Sequence, residues 1–216
     1  MTGEGDDRRA RLASARLYLC TPDRPDLGEF VAAVAGAGVD IVQLREKRLP
    51  DRELLARAGL ARDAARSAGA LFVVNDRPDV AVACGADGVH VGQDDLPPGL
   101  ARTIVGPGAL VGLSTHAPAE LTAAGAEPVD YVSVGPVVPT PTKPGRPGTG
   151  LDYVRLAASR LAGGRPFFVT GGVDPDTLPE LLTAGATRFV VVRALTEAPD
   201  PAAVVRRLRR ILDGPA

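Results

Sequence analysis

Short runs of valine, leucine, isoleucine and alanine recur along the chain, separated by longer stretches whose apolar residues return every three or four positions. Runs of the first kind read as buried strands, and the longer stretches as helices laid over them. The expected strands are 16–20, 39–44, 71–74, 88–91, 110–113, 131–134, 166–170 and 188–192. Helical composition fills 27–37, 51–68, 78–84, 100–105, 118–124, 151–161, 175–184 and 201–212. In 51–68, for example, Leu54, Leu55, Ala58 and Ala61 fall on one side, and Gly69 ends the pattern. Residues 1–15 are polar and charged and read as a tail or short helix ahead of a domain spanning 16–216. Strands alternating with helices, without a linker, call for parallel βαβ units in one domain. Eight such units closing on themselves predict an α/β fold of the (β/α)8 TIM-barrel type, whose range of about 200–400 residues just admits this length. An open doubly wound sheet fits less well, because the first strand-to-helix turn lacks a glycine fingerprint.

Composition narrows this further. Hydrophobic residues make up 45% and aromatic residues only 4%, so the core is built of Ala, Val and Leu, as close packing of helices on parallel strands requires. A formal net charge of −1 excludes the basic surface of a nucleic-acid binder. No apolar run reaches membrane-spanning length and no leader pattern opens the chain, so a cytoplasmic location is expected. Cys20 and Cys84 are expected to pack as small hydrophobes in a reducing compartment. The arginines at 206, 207, 209 and 210 are expected to form a solvated helix face.

The scarce polar residues carry the chemistry. Of 25 basic residues only Lys47 and Lys143 are lysines; Asn75 is the one asparagine, Gln43 and Gln93 the glutamines, and His90 and His116 the histidines. Nearly all fall at or just past an expected strand end, the side on which barrels place their active sites. If the second strand continues, Gln43, Arg45 and Lys47 point to one face. Asp76 and Asp95 follow consecutive expected strands, so two carboxylates would emerge on one sheet edge, as a hard cation requires. The competing reading makes Asp76 and Asp95 helix caps ahead of Pro78 and Pro97. Arg45, Lys47 and Lys143 supply positive charge, and Asn75 and Ser114 neutral hydrogen bonds, a set suited to a leaving pyrophosphate. Gly171-Gly172, together with the start of the segment after the last strand, suggests a second anion site on backbone N–H groups. His90 is expected to be a hydrogen-bonded barrel residue and His116 a surface loop residue, neither catalytic. The proline- and glycine-rich segment 135–150 fits no regular element, and long loops in compact domains are usually functional. No nucleophile with an adjacent base, no lysine inside a strand and no His/Cys cluster is evident. The set favours displacement at carbon of a metal-bound pyrophosphate beside a phosphorylated second substrate.

These residues resemble the thiamine-phosphate synthase (thiamine-phosphate pyrophosphorylase) family over nearly the whole chain. Gln43-Leu44-Arg45-Glu46-Lys47 is similar to the family's QxREK segment, which binds the pyrimidine and its pyrophosphate. Asn75-Asp76 matches the ND pair, the asparagine reaching pyrophosphate and the aspartate Mg²⁺. The run from Ala86 to Leu96 matches ADGVHxGQxDL and makes Asp95, not Asp94, the second metal ligand. Ser114 matches a pyrophosphate-contacting serine. Thr140-Pro141-Thr142-Lys143 matches TxTK, which lines the thiazole phosphate and binds pyrophosphate through its lysine. Gly171-Gly172 matches the phosphate-binding glycine turn. The chain departs from the pattern at Thr170, where Ile or Leu is usual, and at Val192-Arg193, where a V-S pair is usual. The resemblance implies a transferase that joins 4-amino-2-methyl-5-(diphosphooxymethyl)pyrimidine to 4-methyl-5-(2-phosphooxyethyl)thiazole, with Mg²⁺ as cofactor and diphosphate as leaving group. Arg45, Lys47, Asn75, Ser114 and Lys143 would be catalytic. The expected partners are the two small-molecule substrates, with no nucleic acid, no membrane, and homo-oligomer formation left open. Two rivals stand beside it: a thiazole tautomerase of the same fold, which would not need the full metal and pyrophosphate set, and a non-catalytic barrel binding a phosphorylated ligand.

Overall fold

The computed structural model describes residues 3–139 and 147–214. Strands β1 (Leu17–Thr21), β2 (Ile41–Leu44), β3 (Leu71–Asn75), β4 (Gly88–Val91), β5 (Leu110–Thr115), β6 (Tyr131–Val134), β7 (Phe167–Val169) and β8 (Phe189–Val191) form a closed parallel barrel in sequence order. The ring is sealed where β8 pairs with β1, Leu17 opposite Phe189 and Leu19 opposite Val191. Helices α2 (Leu27–Gly36), α3 (Asp51–Ser67), α4 (Pro78–Cys84), α5 (Pro98–Val105), α6 (Pro118–Ala123), α7 (Gly150–Arg160) and α8 (Leu178–Thr183) follow the first seven strands in turn. A short α9 (Arg193–Thr196) and the closing α10 (Pro201–Asp213) follow β8, and α1 (Gly3–Ser14) precedes β1. Among the described residues no helix is long and apolar enough to cross a membrane.

Strand alternation sorts the core into two layers. Outward side chains such as Leu19, Val42, Phe72, Val89 and Val134 pack under the helices. Inward ones, among them Tyr18, Ile41, Leu71, Val73, Leu110, Tyr131 and Phe168, fill the barrel. Leu12 of α1 and the following Ala15 join this inner cluster, so α1 plugs the N-terminal end.

The same end carries a repeated device. Asp40, Asp87 and Asp130 sit immediately before or just ahead of β2, β4 and β6, and each carboxylate accepts backbone N–H groups of the preceding strand's start. Asp40 Oδ2 takes Arg16 N at 2.7 Å and Leu17 N at 2.8 Å, Asp87 Oδ2 takes Phe72 N at 2.9 Å, and Asp130 Oδ2 takes Val111 N at 2.8 Å. Arginines neutralise all three: Arg209 on Asp40, Arg8 on Asp87, and Arg9 with Arg102 on Asp130. Since Arg8 and Arg9 belong to α1, these ion pairs also hold the plug in place.

The helix after β7 begins at Leu178 and not at residue 175, as composition predicts. Asp174 Oδ1 accepts from Asp176 N and Thr177 N, each at 2.8 Å, which makes 174–177 a capping turn. The short α9 was not expected, since four residues give no periodicity to read.

Candidate active site

A cavity of about 410 Å³ opens at the C-terminal mouth of the barrel. Gln43 and Arg45 reach it from β2 and Asn75 from β3, while Gly171, Gly172, Val192 and Arg193 form the opposite wall. The two halves of the expected site therefore share one chamber. Arg45 continues the inward parity of Gln43, its N–H held by Thr21 O at 2.8 Å. Among the described residues the Arg45 guanidinium makes no ion pair. Asn75 is only 7% exposed, yet among the described residues its Nδ2 has no hydrogen-bond partner. A buried amide donor left unsatisfied costs on the order of 1–3 kcal/mol, and its place on the cavity wall lets an oxygen inside the cavity satisfy it.

Beside the cavity lies the acidic rim. Asp76 takes a φ of +61°, in the left-handed region that aspartate enters more readily than most side chains. Its N–H donates to His90 O at 2.8 Å, and Lys47 Nζ sits 2.6 Å from its Oδ2. Lys47 thus meets the residue that follows β3, although β2 itself ends at Leu44 and does not carry the strand alternation that far. Burial pushes the Asp76 carboxyl above its ordinary range; Lys47 draws it down, and the adjoining Asp95 carboxyl pushes it further up. The two carboxylates are therefore neighbours in space.

The capping reading of these two aspartates does not hold. Helix α4 is capped at Arg77 and α5 at Pro97, and neither cap uses a side chain. Asp95 Oδ2 instead accepts from Gly92 N at 2.9 Å, folding the β4 tip back on itself. A Cβ on Gly92 would stand 2.6 Å from that oxygen, so any larger residue there would have to displace the Asp95 carboxylate. Among the described residues no three His, Cys, Asp or Glu side chains gather into a cage that a metal would fill alone. A carboxylate pair on an open rim still fits Mg²⁺, which is commonly held by one or two carboxylates and takes its other ligands from water and phosphate oxygens. Asp94 is exposed beside it.

Other expected residues fall elsewhere. Leu44 is 1% exposed and packs outward under the helices, so its side chain does not reach the cavity. Alternation explains this, because its neighbours Gln43 and Arg45 point inward. The Glu46 carboxylate accepts from Lys47 N and Arg48 N, each at 2.7 Å, and shapes the turn that carries Lys47. Ser114 is buried at the end of β5. Thr140, Pro141, Thr142 and Lys143 lie outside the described residues.

Gly171 and Gly172 have φ values of +94° and +77°, a conformation that L side chains rarely adopt. A Cβ on Gly171 would also meet Pro136 Cβ at 2.5 Å. The turn is fixed from behind by the Thr177 hydroxyl donating to Gly172 O at 2.7 Å. Asp176 on this wall is paired with Arg207 at 2.7 Å.

Two expectations need correction. Cys20 is not merely apolar packing: it lines the cavity, and its thiol donates to Gln43 Oε1 at 3.1 Å. His116 is half-buried, its Nδ1 on Gly135 O and its N–H on Glu120 Oε2 at 2.7 Å, so it ties the end of β5 to the turn after β6 and to α6. Tyr18, His90 and Ser133 also line the chamber and were not among the expected site residues. Their inward parity with Cys20, Gln43 and Ser114 was the available signal.

Comparison with known proteins agrees with this fold. A family model described as thiamine monophosphate synthase matches residues 17–195. The chain is 55% identical to a thiamine-phosphate synthase of Acidothermus cellulolyticus, covering 90% of this chain and 93% of that protein. It is 53% identical to one from a Mycobacterium species (strain KMS), covering 93% and 94% respectively. A solved thiamine phosphate pyrophosphorylase from Pyrococcus furiosus superposes with a TM-score of 0.84 at 31% identity, covering 95% of this chain and 97% of that one. With a family match from the first strand to the helix after the last one, and such identity over nearly its full length, the chain belongs to the thiamine monophosphate synthase family.

Proposed function

We propose that the cavity and its acidic rim hold the two substrates of the family's condensation side by side. The diphosphate of 4-amino-2-methyl-5-(diphosphooxymethyl)pyrimidine lies against Arg45, Lys47, Asn75 and Ser114, joined by Lys143. The phosphate of 4-methyl-5-(2-phosphooxyethyl)thiazole lies on the Gly171-Gly172 turn and the backbone at Val192-Arg193, with Thr140, Pro141 and Thr142 as further contacts. The observation that carries this reading is the buried Asn75 Nδ2, unpartnered among the described residues, in one chamber with the Arg45 guanidinium. An anion with several oxygens answers both.

In the reaction the carbon–oxygen bond to diphosphate breaks first, and its electron pair leaves with the oxygen. The methylene carbon is left cationic, supported by the aminopyrimidine ring, and the thiazole nitrogen closes the new carbon–nitrogen bond with its lone pair. Charge grows on the diphosphate as the first bond breaks, so donors fixed in advance stabilise the transition state more than the ground state. Lys47 and Arg45 supply that stabilisation as charge, Asn75 and Ser114 as hydrogen bonds, and no protein nucleophile takes part. Asp76 and Asp95 would hold Mg²⁺, which when bound supplies positive charge to the diphosphate oxygens. Lys47, 2.6 Å from Asp76, also limits the repulsion between the two carboxylates before a cation arrives.

The test is diphosphate release by the purified protein given both substrates. Thiamine phosphate and diphosphate should appear in equal amounts, stop with EDTA, and resume on adding Mg²⁺. Interconversion of thiazole isomers without diphosphate would identify a tautomerase, and binding without turnover a sensor. Release that ignores the chelator would remove the metal from the scheme while leaving the reaction.

A further inference from the structure

A chain of side-chain hydrogen bonds crosses the barrel interior beneath the cavity. The Cys20 thiol donates to Gln43 Oε1 at 3.1 Å, and Gln43 Nε2 donates to the Tyr18 hydroxyl at 2.8 Å. The Tyr18 and Tyr131 hydroxyls are 2.9 Å apart, Tyr131 oxygen is 3.2 Å from His90 Nδ1, and His90 Nε2 is 2.9 Å from Ser114 Oγ. None of the six residues is more than 7% exposed. The fold keeps room for one link in particular: a Cβ on Gly112 would stand 2.5 Å from both the Tyr131 hydroxyl and His90 Nδ1.

We propose that this chain is polarised in one direction and holds Ser114 as a hydrogen-bond donor to the departing diphosphate, with Tyr131 and His90 as positioning residues. The inference rests on the reading of Ser114 as a diphosphate contact. Each hydroxyl brings one hydrogen, and neutral imidazole brings one, so fixing one end fixes the whole series. At the Gln43 end the thiol gives its hydrogen to the amide oxygen, which leaves the amide nitrogen to donate to Tyr18. Tyr18, approached by a donor, turns its own hydrogen to Tyr131, and Tyr131 turns its hydrogen to His90 Nδ1. An imidazole that accepts at Nδ1 carries its hydrogen on Nε2 and donates it to Ser114. Ser133 Oγ donates to the same serine oxygen at 3.4 Å. With its oxygen receiving, Ser114 gives its hydrogen toward the site. The reversed series would give the serine hydrogen to His90 and turn oxygen lone pairs toward an anion. Burial raises both phenols well above their ordinary range, so each keeps the hydrogen that the series needs.

The experiment is a set of double-mutant cycles read as kcat and KM, with thermal unfolding as the control for folding. Ser114→Ala should lower kcat. Tyr131→Phe keeps the ring packed against Tyr18 and Phe168 and removes only the hydroxyl; kcat should fall on the order of tenfold with KM nearly unchanged. His90→Gln, which keeps an N–H within reach of Ser114, should retain more activity than His90→Leu. In the Ser114→Ala background, Tyr131→Phe and His90→Leu should each change kcat by less than about twofold, because what they position is already gone. Losses that persist at full size in that background would overturn the proposal and leave Ser114 in its role. A Ser114→Ala enzyme with the parental kcat would overturn both. Should His90→Leu fail to fold, the Tyr131→Phe cycle decides alone.

Discussion

Replacing Asp87 with alanine should weaken the barrel and leave its chemistry intact, although Asp87 lies in the same short run as Asp95. The carboxylate makes two contacts: Oδ2 accepts from Phe72 N at 2.9 Å, and Oδ1 meets Arg8 Nε at 2.9 Å. Phe72 is 0% exposed, so its N–H finds no water once the carboxylate is gone. A stranded buried donor costs about 1–3 kcal/mol. The ion pair has 10% exposure on the aspartate and 20% on the arginine, and Arg8 can turn to water, so about 1 kcal/mol is fair. The sum is about 3 kcal/mol, or a fall in Tm of roughly 6–12 °C for a chain of this size. Asp87→Asn keeps an oxygen for Phe72 N and should lose only about 1 kcal/mol of that. Urea unfolding gives both values, and kcat measured well below the Tm shows whether the site is touched. Stability of the alanine variant within about 0.5 kcal/mol of the parent would refute the account. So would a loss of kcat without a loss of stability.

Asp95→Asn should lose turnover far more than Asp94→Asn across a Mg²⁺ titration, because only Asp95 adjoins Asp76; equal losses would remove Asp95 from the metal site. Lys47→Arg should reduce kcat on the order of tenfold or more although charge is kept, since a planar fork can grip the Asp76 carboxylate bidentately where an ammonium makes one point contact; turnover within about twofold of the parent would show that the lysine has no special part. Gly171→Ala should raise the KM for the thiazole phosphate about tenfold and spare that for the pyrimidine, through the clash with Pro136 and the φ of +94°; unchanged constants for both substrates would take the phosphate away from this turn.

The barrel was legible because its strands, buried on both faces, leave only apolar runs, and the polar residues must then fall at the ends. Gln43, Arg45, Asn75, Asp76 and Asp95 could be picked out because such side chains are scarce in this composition. The polar interior was not legible. Tyr18 and Tyr131 fall inside expected strands with nothing to mark them, and their bond joins positions 113 apart in the chain. Cys20 read as a small hydrophobe for the same reason, since a pattern of apolar positions says nothing of what a thiol meets across the barrel. Leu44 shows the opposite case: it belongs to the contiguous motif, yet alternation along β2 puts its side chain outward.

The run from Ala86 to Leu96 adds a distinction that a motif alone hides. Asp87 precedes β4 and Asp95 follows it, with four strand residues, about 13 Å, between the ends. In a parallel barrel every strand starts at one face and ends at the other, so these two aspartates cannot share a ligand. Asp87 belongs with Asp40 and Asp130, each pinned to an arginine and to a backbone N–H at the plugged end. Asp95 belongs with Asp76 and Lys47 at the open end. His90, between them, faces the interior, where its ring reaches Tyr131 and Ser114. Position relative to the strand therefore separates three environments within one short stretch: a backbone-pinning ion pair before it, buried hydrogen bonds within it, and an acidic rim after it.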